Sequence, residues 1–208
     1  MRRLIDPVPN FVDTGRFRPR DGSRDAWVAG KGPTLIHLSN FRPVKRPLDV
    51  VETFARVRKE MPAHLVLAGE GPELPEVRSR VRALGLTDSV VFAGEVRDVP
   101  GLLQGGDAFL LASDSESFGL AALEAMACGL PVISTDGGGI SDLVRDGETG
   151  LLAPTGDVEA LATACLDILS TPGRAARMGE EGHRRAISSY AMDDVISLYE
   201  SIYAEVAP

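Results

Sequence analysis

Two stretches of this 208-residue chain combine residue types that could hold a charged, hydroxyl-rich ligand. The first, "SNFRPVKR" (39–46), carries Arg42, Lys45 and Arg46. Arg42 and Lys45 are spaced so that both could reach one anionic group, the guanidinium as a fork and the ammonium as a point charge. The second, "DSESFGLAALEAMACGL" (114–130), sets Glu116 just ahead of a helix-like run and Glu124 inside it, among alanines, a leucine and a methionine. An ionised carboxylate withdrawn from water is costly unless it is paired or hydrogen-bonded. Glu124 therefore either lies on a thin polar stripe or serves a polar group that docks against it. The helix opening at Ser117, Phe118 and Gly119 offers free backbone N–H groups and the positive end of a dipole, a natural seat for phosphate. The two glutamates suit neutral hydroxyls, because a carboxylate accepts from two vicinal OH groups. Phosphate flanked by hydroxyls describes a nucleotide sugar. Each residue alone also has a plainer reading: Lys45 and Arg46 as a solvated loop, Ser117 as a helix cap, and Glu116 as an acid near a helix N-terminus.

The elements that must position these groups alternate along the chain. Strand-like apolar runs fall at 34–39, 64–69, 89–94, 107–112, 131–135 and, more weakly, 150–153. Helix-like segments fall at 47–60, 73–84, 98–104, 118–128, 139–145, 157–170, 173–188 and 192–205. Continuous apolar strands alternating with amphipathic helices predict an α/β domain, a Rossmann-like doubly wound parallel sheet covered on both faces. With strand order 3-2-1-4-5-6, the binding crevice opens beyond the carboxyl ends of strands 1 and 4. Strand 1 is 34–38 and strand 4 is 107–111, so the two chemically unusual loops are the two that leave the switch point. "AGEGP" (68–72) and "DGGGIS" (136–141) read as turns, the latter with glycines that could also approach a ligand. Residues 1–33, rich in Pro, Gly, Arg and Asp and without periodicity, read as a linker or surface arm.

Composition narrows the classes. The chain is 44% hydrophobic and 25% charged with a net charge of −8, which argues against a general nucleic-acid face. Cys128 and Cys165 lie in apolar runs without metal-ligand spacing and read as small buried residues. His37, His64 and His183 read as strand or surface residues with no metal cluster. No apolar run is long enough to cross a membrane, and the first ten residues lack the apolar core of a signal peptide. A cytoplasmic protein is expected. The "GxGxxG" of a nicotinamide-binding domain is absent after strand 1, which weakens an oxidoreductase reading.

"ESFGLAALEAMACGLPVISTDGGGISDLV" resembles the E-x7-E region of the retaining glycosyltransferases of family 4. "AGEGPE", "VVFAGEV" and "DGETGLLAPTGDVEALA" match the same family in the same order, and together these segments span most of 34–190. The resemblance implies the carboxyl-terminal, donor-binding half of a two-domain GT-B enzyme. In it 1–33 joins the halves, 34–190 binds the nucleotide sugar, and a helix in 191–208 crosses back to an amino-terminal domain that would carry most of the acceptor site. "HLSNFRPVKRPLDVVETFARV" is nearer to the branch that transfers N-acetylglucosamine from UDP to L-malate in bacillithiol synthesis. Many relatives have "GR" five residues before the lysine, where this chain has Asn40, with Arg42 two residues later.

By that resemblance, Arg42 and Lys45 would bind the diphosphate and stabilise the departing UDP. Glu116 would bond the donor sugar near O3, helped by Ser117 and the backbone N–H groups of Phe118, Gly119 and Leu120. Glu124 would accept from the ribose hydroxyls. Val96, in "GEVR" (94–97), would border the uracil, with Asn40, Glu70 and Gly71 as further contacts. UDP-N-acetylglucosamine is then a substrate, L-malate the expected acceptor, and no metal, cofactor or protein nucleophile is implied. A second copy of the chain is a possible partner. Two alternatives stay open: a family member with a lipid or polysaccharide acceptor, and a non-catalytic module that binds a nucleotide sugar.

Overall fold

The computed structural model describes residues 8–21 and 32–206. Six strands, β1 (Thr34–Leu38), β2 (His64–Ala68), β3 (Val90–Gly94), β4 (Ala108–Leu110), β5 (Val132–Thr135) and β6 (Gly150–Ala153), form one sheet in the order β3-β2-β1-β4-β5-β6. All five pairings are parallel. The expected order is therefore the observed one, and the reversal falls between β1 and β4.

Strand side chains alternate between two core layers, as the period of two requires. Leu35, Leu65, Leu67, Val90, Ala108, Leu110 and Ile133 feed one layer, while Ile36, Val66, Ala68, Phe109, Leu111 and Val132 feed the other. The first layer is closed by α1 (Pro47–Glu60), α2 (Leu74–Ala83) and α6 (Val158–Ser170), with α1 packed on α6. Phe54 of α1 sits at its centre, fully buried. On the other face lie α3 (Val99–Gln104), α4 (Leu120–Ala127) and α5 (Ile140–Leu143). Helix α7 (Arg174–Tyr190) packs on α4, and α8 (Met192–Val206) follows it after a break at Ala191. Asp98 and Asp157 cap α3 and α6, each accepting from the backbone N–H three residues on, so these starts follow ordinary side-chain capping.

Part of the amino-terminal segment, which reads from composition as a linker or surface arm, is docked on the domain. Val12 and Phe17 are buried in the second layer. The Val12 N–H donates to Tyr190 O (2.9 Å) and its carbonyl accepts from Met192 N (3.0 Å), which stitches the segment across the α7–α8 break. Asp13 Oδ1 accepts from the N–H groups of Gly15 and Arg16, turning the chain so that Phe17 enters the core. Two apolar side chains and two backbone bonds dock this stretch on the domain. The rest of residues 1–33 lies outside the described residues, apart from 8–11, 18–21 and 32–33.

Candidate functional site

The loop leaving β1 is built around strained and charged turns. Phe41 is fully buried at φ 42, a region uncommon for a bulky residue. Arg42 then leads a single 3-10 turn, Pro43–Lys45, and Arg46 follows at φ 45 as the N-cap of α1. This 3-10 turn was not legible in the sequence. The loop is latched to the one leaving β4: Asp114 N donates to Val44 O (2.8 Å), and Arg46 Nη1 meets Asp114 Oδ1 at 3.0 Å. Arg46 also holds Asp49 (2.7 Å), and these two carboxylates raise its pKa, the Asp49 bond most. Arg46 is thus occupied as a latch, whereas Arg42 is exposed and forms no ion pair among the described residues.

Lys45 and Glu116 meet directly. Lys45 Nζ lies 2.6 Å from Glu116 Oε1, and the Ser113 hydroxyl donates to the same oxygen at 2.7 Å. Oε2 accepts no hydrogen bond among the described residues. Both groups line a cavity of about 280 Å³ with Asn10, Leu38, Leu111 and residues Ser117 to Ala121. The start of α4 forms its floor: Gly119 stands at φ 94 as the N-cap, and the N–H groups of Phe118, Gly119 and Leu120 donate to no described group. Unpaired donors at a helix start, with the dipole behind them, favour an anion or a hydroxyl-rich ligand.

The glycine-rich turns serve close packing. A Cβ at Gly137, Gly138 or Gly139 would collide with the backbone of Asp114, Glu116 or Ser117, so this turn braces the Glu116 loop from behind. The Glu116 N–H donates to Gly137 O (3.0 Å), and the Gly139 N–H to Glu116 O (2.6 Å). Gly71 lies against the Asn40 carbonyl in the same way, where a side chain would not fit.

Of the residues singled out above, the structure brings Lys45, Glu116, Ser117, Phe118, Gly119 and Leu120 to one cavity. Arg42, Asn40, Glu70, Gly71, Val96 and Glu124 do not line it. Arg42, Asn40 and Glu70 are exposed on neighbouring loops, and Val96 packs against the second core layer. Glu124 is half-buried on α4; desolvation raises its pKa, and the charge of Arg16 acts against that rise. Asn10 and Ser113 were missed. Ser113 is marked only by its place three residues before Glu116, and Asn10 by nothing local. A larger groove, about 740 Å³, lies between α1, α2 and α6, but its charges are largely spent on one another through Arg56–Glu159 and Arg80–Glu52.

The switch-point loops of this parallel sheet thus bring a lysine, a buried glutamate and an open helix start to one cavity. Residues 20–185 match the model of the family described as glycosyl transferases group 1, and the chain belongs to that family. It is 38% identical over 205 residues to an N-acetyl-alpha-D-glucosaminyl L-malate synthase of Bacillus anthracis, covering 97% of this chain and 54% of the relative. It is 32% identical over 200 residues to a GDP-mannose-dependent alpha-(1-6)-phosphatidylinositol monomannoside mannosyltransferase of Mycolicibacterium smegmatis, covering 89% of this chain and 52% of the relative. The chain thus spans about half the length of these relatives. Among solved structures, the C-terminal domain of a group 1 family glycosyl transferase (LpcC) from Francisella tularensis superposes with a TM-score of 0.80 at 26% identity. That match covers 87% of this chain and 99% of the other. The fold is that of the GT-B glycosyltransferases.

Proposed function

We propose that this chain is the carboxyl-terminal, donor-binding half of a retaining glycosyltransferase whose donor is a UDP-sugar. The observation that carries the reading is the convergence of Lys45, Glu116 and the unpaired N–H groups of α4 on one cavity at the switch point. Lys45 has three donors, so it can keep Glu116 with one and offer the others to the diphosphate. Arg42, which forms no ion pair among the described residues, adds a second cation as negative charge builds on the departing nucleotide. Glu116, with Oε2 unoccupied, accepts from the sugar hydroxyls, and Glu124 accepts from the ribose. In retention the bond from the anomeric carbon to the phosphate oxygen breaks. The acceptor oxygen adds to the same face, and its proton passes to the leaving phosphate, so no protein nucleophile is assigned. The reading gives charge neutralisation to Arg42, Lys45 and α4, with no resident cofactor.

Transfer of N-acetylglucosamine to L-malate in bacillithiol synthesis is the specific reaction we favour, supported by the similarity to the Bacillus anthracis synthase. A GDP-mannose donor is the second reading, favoured by the similarity to the mannosyltransferase. The acceptor site then lies largely on an amino-terminal half. The two buried free thiols, Cys128 and Cys165, fit our placement of the protein in the reducing cytoplasm. Calorimetry with UDP, GDP and uridine tests the donor. UDP is expected to bind more tightly than both, and equal binding of UDP and uridine rejects the site. Incubation with UDP-N-acetylglucosamine and L-malate tests the reaction: the chain alone is expected to give no glycosylated malate, and the chain supplied with an amino-terminal half to give it.

A further inference from the structure

Behind the basic turn runs a buried polar chain to which the donor reading gives no role. His37, in β1, is fully buried. Its Nδ1 lies 2.9 Å from the carbonyl oxygen of Leu110, the last residue of β4, and its Nε2 lies 2.8 Å from Ser39 Oγ. A carbonyl can only accept, so Nδ1 carries the ring proton, and Nε2 accepts from the Ser39 hydroxyl. The hydroxyl oxygen in turn accepts from the Phe41 N–H at 3.3 Å. Phe41 presents its ring edge-on to His37, with centroids 5.7 Å apart, and its carbonyl accepts from Glu73 N (3.1 Å). It is this residue that stands in the left-handed region. Such a conformation persists in a bulky residue only where the surroundings over-determine it.

The polar chain has a direction. It starts at the end of β4, whose following loop carries Ser113 and Glu116, and it ends at the peptide that sets the course of Arg42 and Lys45. It therefore ties the two switch-point loops together from beneath, as the Val44–Asp114 and Arg46–Asp114 contacts tie them from above. Burial lowers the His37 pKa to about 4, against the opposing Leu110 hydrogen bond and with the charges of Lys45 and Glu116 acting in opposite senses, so the ring is neutral near pH 7 and Nε2 remains an acceptor.

We propose that His37 is a positioning residue for the diphosphate-binding turn, acting through Ser39 to hold Phe41 in the left-handed conformation from which that turn departs. The proposal rests on the donor reading above. Two variants test it: Ser39→Ala removes the hydroxyl and leaves the ring, and His37→Asn keeps a donor toward Leu110 but is too short to reach Ser39. Affinities for UDP and uridine are measured by calorimetry, thermal midpoints are recorded, and Lys45→Ala serves as reference. Each variant is expected to weaken UDP about fivefold to tenfold, the size of one net hydrogen bond, while uridine changes by less than about twofold. Equal loss for both ligands, or a lowered midpoint with UDP affinity unchanged, overturns the positioning role. If Lys45→Ala selects against UDP while Ser39→Ala does not, this inference fails and the donor reading stands. If Lys45→Ala does not discriminate, both fall. Nitrogen chemical shifts of the His37 ring give an independent check, the neutral Nδ1–H tautomer being expected and the Nε2–H tautomer overturning the polar chain.

Discussion

Glu116 stands in the loop before α4, 8% exposed, where Lys45 and Ser113 both serve its Oε1. Glu124 stands eight residues later on α4 itself, half-buried, with a carboxylate that accepts no hydrogen bond among the described residues. The same side chain is thus placed in two ways within one loop–helix unit. Glu116 has its desolvation offset by a cation and a hydroxyl before any ligand arrives. Glu124 keeps part of its desolvation uncompensated, with only the charge of Arg16 opposing it. A polar group left in that state disagrees with the local apolar pattern of the helix, and such disagreements gather at functional sites. The contrast separates a carboxylate that the fold pairs through one oxygen from one that it leaves without a hydrogen-bond partner among the described residues.

Breaking the first side of the contrast has the largest expected effect. Glu116→Ala leaves the Lys45 ammonium and the Ser113 hydroxyl without their common partner. Removing one member of a buried pair costs about 3–5 kcal/mol. Lys45 retains 23% side-chain exposure, so about 2–3 kcal/mol is the expected loss of stability by chemical denaturation. The same variant should blur discrimination among UDP-sugars while leaving affinity for UDP little changed. A loss below about 0.5 kcal/mol, within the range of ordinary surface substitutions, would mean the pair is a surface contact only.

Glu124→Ala should behave in the opposite sense. Stability is expected to hold or rise, because no bond among the described residues is removed. Affinity for UDP is expected to fall by roughly 1–3 kcal/mol, the scale of a hydrogen bond to a charged group, with no change for the 2′,3′-dideoxyribose analogue. Equal losses for the two ligands would make Glu124 structural and dissolve the contrast.

Much of this arrangement was legible in the sequence because the signals were local. Each strand is a short, continuous apolar run, and each helix from α1 to α8 begins within two residues of its expected start. The alternation pointed to a doubly wound sheet, and the Rossmann order taken for it is the observed one, which brings the Lys45 and Glu116 loops together. What escaped depends on partners distant in the chain. Val12 and Phe17 are single apolar residues in a Pro/Gly-rich stretch, and only the α7–α8 break gives Val12 its backbone partners. The left-handed Phe41 carries no glycine to announce it, because Ser39, His37 and Glu73 impose it. The triple glycine at 137–139 read as a turn whose glycines could also approach a ligand, and the space beside them is filled by the backbone of 114–117. Arg16, the charge that moderates Glu124, comes from the same unperiodic segment as Val12.

The smallest effect offers the sharpest test, because its sign depends on pH. Desolvation raises the Glu124 pKa in the folded protein above its ordinary 4.5. Above the folded pKa the carboxylate is ionised in both states, and the folded state bears the full cost. As the pH falls through the folded pKa toward 4.5, the folded state takes up the proton first and that cost disappears. Glu124→Gln removes the charge while nearly preserving shape, so it should stabilise the fold near pH 7 by under about 1 kcal/mol, the scale of partly screened charge effects. The gain should shrink toward zero as the pH approaches 4.5. Protonation of His37, which titrates near pH 4, destabilises both proteins alike and cancels in the difference. Because Arg16 lowers the Glu124 pKa, the gain should be larger in an Arg16→Ala background. Denaturation curves for the four proteins between pH 4 and 8 decide the matter. A gain that stays constant across that range would trace to packing rather than charge, and a loss at pH 7 would place Glu124 with Glu116 among carboxylates the fold already satisfies.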